Sequence, residues 1–545
     1  MPAPARPRLF RAAVAATMAL LLALALWRTF GARPLGRFPI LRDVPIVHLP
    51  VGPAVGKVRP VLRAAANEAR KQRPRAHLRF LVDLAAQLDF DEFAPVLRDR
   101  GADKARWREA VLRALDLVAE AHQADLMQTL EAMRAAGRVE RFDAMRIVNR
   151  IAVVAGDPGV VDELSQRPDV YALVEDAVPH RPSADGTPGA VGLQAEPERP
   201  TLLRRPVPKV PANPVSWAID AIHAPAAWKR GLVGRGVVVG ILDSGVRRDH
   251  DQLRDNWRGA VEPARAAESW YHPVDPQAKE PVDSSWHGTT VLSAAVGLNR
   301  PLRDGRRCVI GVAPGAIWVA AVAFYEEAYD HLLFTSAADW MLFRARPDVV
   351  IHAATYDPEA ADPMAARIFD AFKSAQTVVV MAAGNTGPEP GRNNAPAHFP
   401  SLSLFGVPAF SVGSTRPDGK VSEFSARGPS ALDPVKPFPQ VVAPGEDVTV
   451  AFSSQPDAII RDLGTSLAAG YVAGAAAILL QARPEMTANE VEYMLKRSAR
   501  PVGELPPNNE AGWGQVDLAK AVELLDLAKE DEDRMRERLE KQPGR

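Results

Sequence analysis

Three polar residues in the second half of the chain carry the side chains that covalent hydrolysis of an amide bond requires. Asp243 ends an apolar run, His287 lies 44 residues later before a segment of small residues, and Ser466 follows after another 179 residues. A covalent mechanism needs a nucleophile, a base that takes its proton, and a group that orients this base. Serine, histidine and aspartate fill these roles, so the pattern indicates acyl transfer through Ser466.

Each of the three residues also has an ordinary structural explanation when it is considered alone. Asp243 could form a turn or cap a helix, His287 could be a packed side chain, and Ser466 could be only an N-cap. The first turn of a helix also carries unpaired N–H groups and a partial positive charge that favour an oxyanion. The presence of all three residue types in one α/β region therefore favours the catalytic interpretation.

A fourth polar residue, Asn385, follows the apolar run 378–383 and Gly384. In open α/β sheets the functional crevice lies beyond the carboxyl ends of the strands. The Asn385 carboxamide can donate a hydrogen bond to a developing oxyanion beside the N–H of Ser466. Considered alone, Asn385 would be assigned as a turn residue.

The elements that must position these side chains alternate between apolar strands and helices from residue 215 to residue 525. This alternation is typical of a parallel sheet covered by helices on both faces, so we predict an α/β fold for 215–525. A balanced 66 basic and 66 acidic residues gives no electrostatic case for a nucleic-acid partner. The single cysteine, Cys308, excludes an intramolecular disulfide and a cysteine-rich zinc site.

Two further units are predicted upstream. Residues 33–138 are interpreted as a mostly helical region, because apolar residues recur there at spacings of three and four, namely Phe80, Leu81, Leu84, Leu88, Val111, Leu112, Leu115 and Val118. Residues 139–178 are predicted to form a small α+β unit, with a strand over Arg146–Val154, a helix over Pro158–Gln166 and a second strand over Asp169–Val174.

The remaining segments are assigned by composition. Residues 12–27 form an uncharged apolar run behind three arginines, which predicts that residues 1–32 are a signal peptide or, if uncleaved, a membrane anchor. Residues 179–214 contain nine prolines and are predicted to be a linker. The tail, residues 526–545, is mostly charged and is predicted to be a solvated helix or disordered.

Six short sequence motifs, in this order, resemble those of the subtilisin-like serine proteases, or subtilases. They are Ile241-Leu242-Asp243-Ser244-Gly245-Val246, His287-Gly288-Thr289, Gly311-Val312-Ala313-Pro314-Gly315-Ala316, Ala382-Ala383-Gly384-Asn385, Val441-Val442-Ala443-Pro444-Gly445 and Gly464-Thr465-Ser466. The segments 224–228 and 147–153 are similar to those of bacillopeptidase F-type enzymes in particular.

The resemblance implies an Asp243–His287–Ser466 triad with Asn385 as the side-chain donor of the oxyanion hole. It further implies an exported, self-processed endopeptidase of the secreted or cell-envelope fraction that acts on extended polypeptides and needs no cofactor for its chemistry. Residues 139–178 would then be the inhibitory prodomain, and Arg204-Arg205 in the linker a candidate cleavage site.

Two departures from the family pattern keep an alternative open. Gly470 stands where subtilases usually have proline, which predicts a looser turn, and Thr355 replaces a glycine of the substrate-pairing strand. These changes leave a catalytically silent subtilase fold, used for binding or as a scaffold, as the competing hypothesis. A nucleotide-binding enzyme is disfavoured, since the glycines of 234–236 precede the strand instead of following it.

Structural calcium is a separate possibility, because hard cations prefer oxygen ligands. Asp249, Asp251 and Asp255 could supply such ligands. Arginines interleave with these aspartates in the sequence, and a solvated loop of mixed charge is the interpretation that this composition favours.

Overall fold

The computed structural model describes most of the chain between residues 44 and 528. Its contacts divide the sequence into Met1–Val44 and Pro45–Arg545, and the architecture below belongs to the second unit. The described residues are 44–71, 77–99, 103–176, 215–275, 277–325, 328–355, 364–391, 397, 410–430 and 434–528.

The N-terminal domain, residues 45–176, is built on a four-stranded antiparallel sheet in the order β4-β5-β2-β6. A separate antiparallel pair joins β1 to β3. The strands are β1 (Ile46–His48), β2 (Leu78–Leu84), β3 (Ala86–Leu88), β4 (Val139–Met145), β5 (Arg150–Ala155) and β6 (Val170–Glu175).

Helices pack on this sheet and complete the core of the N-terminal domain. They are α1 (Ala54–Lys57), α2 (Pro60–Ala69), α4 (Lys104–Ala135) and α5 (Gly159–Ser165), and a further helix of the domain, α3 (Phe90–Asp99), precedes α4 in the chain. Leu62 of α2, Leu130 of α4 and Leu164 of α5 meet Phe80 and Ile151 of the sheet in one buried cluster. Burial of these apolar side chains is the main force that stabilises the domain.

The structure corrects the predicted organisation of this half of the chain. The helical interpretation was wrong for residues 78–88, which form β2 and β3, and right for the apolar positions 111–118, which lie in α4. Strand β2 lies between β5 and β6 of the predicted α+β unit, so the sheet crosses the predicted boundary at residue 139. The short helix and the last strand are confirmed as α5 and β6, and the first predicted strand in part as β5.

The C-terminal domain, residues 215–528, contains a seven-stranded parallel sheet in the order β15-β14-β13-β12-β7-β9-β8. Two antiparallel hairpins, β10-β11 and β16-β17, accompany it. The strands are β7 (Val238–Asp243), β8 (Trp270–Tyr271), β9 (Ile317–Val322), β10 (Phe324–Tyr325), β11 (Ala328–Tyr329), β12 (Val349–His352), β13 (Val378–Ala382), β14 (Phe410–Thr415), β15 (Val441–Pro444), β16 (Val448–Ala451) and β17 (Ile459–Asp462).

Helices cover both faces of the parallel sheet, which confirms the predicted fold class. Val239 and Ile241 of β7 belong to a core shared with α9 and α12, whereas His352 of β12 packs on the opposite face against Phe334 of α10 and Phe369 of α11. The helices are α6 (Trp217–Ala221), α7 (Ala224–Trp228), α8 (Arg258–Val261), α9 (His287–Val296), α10 (His331–Trp340), α11 (Ala365–Ser374), α12 (Thr465–Ala482) and α13 (Ala488–Ser498). A 3₁₀ helix over Pro263–Glu268, a π turn over Met341–Ala345 and a last helix, described over residues 518–528, are further helical elements.

Helix α12 is long and apolar enough to cross a membrane, but 89% of it is buried inside the protein. It packs closely on α9, and glycines permit this approach. A Cβ atom at Gly470 would lie 2.5 Å from the carbonyl oxygen of Val291, and one at Gly474 would lie 2.7 Å from that of Ala295. Gly470 therefore lies inside a helix at a tight crossing, and the looser turn predicted there is not observed.

We expect Gly470→Ala to lower the free energy of unfolding by about 1–3 kcal/mol, because the added methyl group overpacks the crossing of α9 and α12. Gly56→Ala is the matched control, since Gly56 lies in α1 with open space around its Cβ position. At that site alanine should be neutral or slightly stabilising. Urea unfolding of both variants measures the difference, and equal stabilities would show that α9 and α12 can move apart freely.

Several predicted segments lie outside the described residues. They are the signal or anchor segment 1–32 with its apolar run 12–27, the linker 179–214 with Arg204-Arg205, and most of the charged tail, of which residues 526–528 are described.

Candidate active site

Strand β7 carries Asp243 as its last residue, at the carboxyl edge of the sheet. The strand is paired on one side with β12 and on the other with β9, so its backbone is fixed from both sides. Asp243 is fully buried, and its Oδ1 accepts a hydrogen bond of 2.8 Å from the N–H of Ser244. The carboxylate is thereby held in one orientation.

His287, the first residue of α9, meets this carboxylate directly. Its Nδ1 lies 2.9 Å from Oδ1 and 3.0 Å from Oδ2 of Asp243. Because a carboxylate only accepts hydrogen bonds, Nδ1 is the donor and Nε2 is the basic nitrogen of the neutral ring. The side chain of His287 is 22% exposed, so the base is reachable from the cleft.

Asp283 shapes the turn that presents His287. Trp286, the residue before His287, has φ 98°, a left-handed conformation that bulky residues rarely adopt. Asp283 accepts hydrogen bonds from the N–H of Trp286 at 2.9 Å and of Thr289 at 3.0 Å, which stabilises this strained turn. The rings of Trp286 and Phe324 flank the imidazole, with centroids 6.0 Å and 5.9 Å from it. Sequence analysis did not identify Asp283 or Trp286.

Ser466 lies in the first turn of α12 and is 7% exposed. The chain enters this helix through Gly464, whose φ of 150° is readily adopted only by glycine. The Ser466 hydroxyl donates a hydrogen bond of 3.1 Å to the carbonyl oxygen of Ala353. Ala353 directly follows β12, the strand next to β7, so Ser466 lies at the same edge of the sheet as Asp243.

The side chains of the predicted triad are thus brought to one edge, with the serine hydroxyl turned toward Ala353. A hydroxyl has one proton, so donation to His287 requires this proton to turn away from the Ala353 carbonyl oxygen. Such hydrogen bonds in unliganded enzymes often become short only when substrate binds. The structure therefore shows the Asp243–His287 contact and places Ser466 at their edge of the sheet.

Asn385 is anchored to the residue before the serine. Its Oδ1 accepts hydrogen bonds from the N–H and the hydroxyl of Thr465, each at 3.0 Å. The hydroxyl of Thr465 in turn accepts the N–H of Gly384 at 3.1 Å. Since the amide oxygen is engaged on the Thr465 side, the NH₂ group of Asn385 faces away from Thr465 as a donor.

His352, which sequence analysis did not select, lies behind the aspartate. It ends β12, is fully buried, and its Nδ1 lies 3.3 Å from the carbonyl oxygen of Leu242. Burial lowers the pKa of His352 to about 4. The ring is therefore neutral near pH 7 and adds no competing positive charge beside Asp243. No short motif marks this histidine, because it lies in an ordinary apolar strand.

The three aspartates considered for calcium are each engaged by arginine. Asp251 accepts hydrogen bonds from the Arg303 side chain and backbone at 2.8 Å, Asp249 pairs with Arg247 at 2.8 Å, and Asp255 pairs with Arg300. Within the described part of the chain no group of three or more histidine, cysteine, aspartate or glutamate residues is arranged to hold a metal ion. The aspartates therefore fit the mixed-charge loop better than a calcium site.

Comparison with known proteins agrees with this geometry. The model of the subtilase family matches residues 234–514, which span the four candidate residues. The chain belongs to the subtilase family. The recognition from sequence motifs is confirmed, and with it the class of enzyme, a subtilisin-like serine endopeptidase.

Individual subtilases align with different shares of the chain. Bacillopeptidase F of Bacillus subtilis (strain 168) is 30% identical over 444 residues, which is 77% of this chain and 29% of that protein. Subtilisin Savinase of Lederbergia lenta is 29% identical over 314 residues, covering 57% of this chain and 100% of that protein. Serine protease AprX of Bacillus subtilis (strain 168) is 27% identical over 333 residues, covering 56% of this chain and 71% of that protein. The chain thus spans less than a third of the length of bacillopeptidase F.

Proposed function

We propose that this subtilase is an exported serine endopeptidase that hydrolyses polypeptides through an acyl-enzyme formed on Ser466. The observation that carries the proposal is the contact of His287 Nδ1 with both carboxylate oxygens of Asp243, at the edge where Ser466 lies in the first turn of α12. The proposal of export rests on the apolar segment 12–27, which fits a signal peptide or anchor, and on the similarity of the chain to subtilisins.

In the proposed mechanism the Ser466 hydroxyl turns from Ala353 to His287 Nε2 as the substrate carbonyl enters the cleft. His287 takes the proton while the serine oxygen attacks the carbonyl carbon, and Asp243 stabilises the resulting imidazolium and its tautomer. His287 then gives the proton to the leaving amine, which breaks the peptide bond and leaves the acyl-enzyme. Water, activated by the same base, hydrolyses the ester and restores the serine.

The oxyanion is proposed to lie between the NH₂ group of Asn385 and the N–H of Ser466. The first turn of α12 contributes unpaired N–H groups and the positive end of the helix dipole. Asn385 is held by Thr465 before any substrate arrives, so no reorganisation is needed when the negative charge develops.

The N-terminal domain is proposed to be the inhibitory domain of a self-processed precursor. Its β6 strand leads to Asp176, whose Oδ1 accepts the N–H of Leu332 at the start of α10 at 3.2 Å. The buried Arg150 of the same domain pairs with Asp83 and donates a hydrogen bond of 3.0 Å to the Thr335 hydroxyl of α10. The folded unit that makes these contacts is residues 45–176, and the described part of the predicted prodomain, residues 139–176, is only its last part.

Assembly of the two domains is expected to weaken as the pH rises. Burial and the neighbouring Asp330 raise the pKa of Asp176 to about 9, although Arg79 lies 2.6 Å from Asp176 and 3.1 Å from Asp330. Because the ordinary pKa of aspartate is about 4, the assembled state holds a proton that the separated domain releases. This stabilisation of the assembled domains is complete below about pH 4, decreases as the pH rises, and is lost above about pH 9.

We expect the dissociation constant of the two domains to increase as the pH rises toward about 9, by up to about tenfold per pH unit. It is measured in a Ser466→Ala chain after the linker has been cut. Asp176→Asn removes the titrating group and should flatten the dependence. An unchanged pH slope in Asp176→Asn would assign the effect to another group.

A covalent probe tests the proposed activity. The purified chain and its Ser466→Ala variant are incubated with a fluorophosphonate before and after removal of the N-terminal domain by cleavage in the linker. We expect labelling of the wild type only, and accumulation of uncut precursor for Ser466→Ala. If neither protein is labelled after removal of the N-terminal domain, the catalytically silent scaffold is supported. If the Ser466→Ala precursor is trimmed at the wild-type rate, self-processing is refuted.

A further inference from the structure

Helix α4 reaches well beyond the domain to which it belongs. It has 32 residues, which corresponds to a length of about 48 Å. Its C-terminal half supplies Leu126, Leu130 and Met133 to the core of the N-terminal domain. Its first two turns contact the C-terminal domain instead, and the sequence analysis gave no role to this part of the chain.

Trp107 and Arg108 are two adjacent side chains in that contact, and we call them the base anchor. The indole Nε1 of Trp107 donates a hydrogen bond of 2.8 Å to the carbonyl oxygen of Ser374. The guanidinium of Arg108 donates to three carbonyl oxygens and pairs with one carboxylate, at Ala375 (3.0 Å), Arg346 (3.3 Å), Pro347 (3.2 Å) and Asp348 (3.5 Å). The Arg108 side chain is only 15% exposed.

The acceptors are the carbonyl groups that helices leave unpaired at their C-termini. Ser374 ends α11 and Ala375 is its C-cap, while Arg346 is the C-cap of the π turn 341–345. Carbonyl groups at such positions lack intrahelical donors and carry partial negative charge, which favours a cation. One guanidinium therefore caps two helical segments of the C-terminal domain, and the neighbouring Glu109 pairs with the Arg346 side chain at 2.5 Å.

The base anchor lies at the opposite end of the sheet from the candidate active site. Asp348 and Ala375 precede β12 and β13, whereas Ala353 and Asn385 follow the same two strands. The base anchor therefore contacts the C-terminal domain away from the cleft, which lies at the ends of these strands. A second contact of the N-terminal domain, at Asp176, lies at the start of α10, so one rigid domain holds the C-terminal domain at separate points.

We infer that the base anchor retains the N-terminal domain on the C-terminal domain after the linker is cut, and that the contacts of Arg108 set the rate at which this domain dissociates. Two contacts made by one rigid body reinforce each other, because the loss of one leaves the other to hold it in place for rebinding. The inference rests on the proposed precursor, since it concerns the interval between cleavage and release.

The association is tested without catalysis, in the full Ser466→Ala chain nicked in the linker by limited trypsin treatment. Arg108→Ala removes the hydrogen bonds of a buried charged group and should speed dissociation of the N-terminal fragment at least about tenfold. Trp107→Phe keeps the aromatic ring but lacks the N–H, and should have a smaller effect in the same direction. Arg113→Ala is the matched control, because Arg113 lies on the same helix, is 48% exposed and pairs with Glu120 of that helix.

The active chain gives the second readout. Arg108→Ala should cut its linker at the wild-type rate but release peptidase activity sooner, whereas Arg113→Ala should behave as the wild type in both respects. Equal dissociation rates for the nicked Arg108→Ala and Arg113→Ala chains would overturn the anchor. Failure of the proposed function is distinguishable, because it would abolish linker cleavage in every variant while the nicked Ser466→Ala chains still reported the association.

Discussion

Replacement of Asp243 by asparagine is expected to lower kcat about 10⁴-fold while the fold is retained, the loss typical of this substitution in serine proteases. The carboxylate accepts the proton of His287 Nδ1 with both oxygens, which keeps Nε2 unprotonated and facing the cleft. Asparagine has no negative charge, and its NH₂ group can meet Nδ1 only as a donor, which favours the wrong tautomer of the ring. KM should change little, since the interaction is made with the base and not with the substrate.

Steady-state hydrolysis of a chromogenic peptide by the processed enzyme measures this effect. Since Asp243→Asn should also slow self-processing, the linker is cut with trypsin in all samples. Asp304→Asn provides the matched control, because Asp304 is an exposed aspartate of the same domain that pairs with Arg306. Activity of Asp243→Asn within about tenfold of the control would remove Asp243 from the mechanism.

Replacement of Asn385 by alanine is expected to lower kcat about 10²–10³-fold, as for other serine proteases that lose one donor of the oxyanion hole. The donor acts on a charge that exists only in the transition state, so KM should again remain close to the wild-type value. Asn385→Ala also removes the acceptor of the Thr465 N–H and hydroxyl, which lie beside Ser466, so a variant that keeps this acceptor is needed as well.

Asn385→Asp separates the donor role from packing, because it conserves the shape of the side chain but removes both N–H donors. It should be at least as inactive as Asn385→Ala, and fluorophosphonate labelling of Ser466 should be slowed in both variants. A loss confined to KM would instead assign Asn385 to substrate binding.

The parallel sheet was predictable because five of its seven strands, β7, β9, β12, β13 and β15, are short apolar runs. The N-terminal domain was harder to predict. Strand β2 is the inner strand between β5 and β6 and is buried on both faces, so its apolar residues do not alternate with polar ones. Phe80, Leu81 and Leu84 consequently mimic a helical spacing, and periodicity alone does not separate a buried strand from a helix segment.

In the candidate site, too, local sequence motifs mark some residues, whereas tertiary packing alone brings in others. Asp243, His287, Asn385 and Ser466 each stand in a short motif at the end of an element, so their place in the fold could be predicted residue by residue. The contributions of Asp283, His352 and Ala353 come from segments that carry no motif and meet the site only through tertiary packing. Local sequence patterns contain no information about such contacts.

Placing the base anchor and the cleft at opposite ends of β12 and β13 gives the two ends of the sheet separate consequences for evolution. Substitutions around Arg108 can alter how long a newly made molecule stays dormant without altering which peptides it cuts. Substitutions beside Ala353 can alter which peptides the molecule cuts without altering how long it stays dormant. A lineage carrying this architecture can therefore adjust the delay before activity and the choice of target as independent traits.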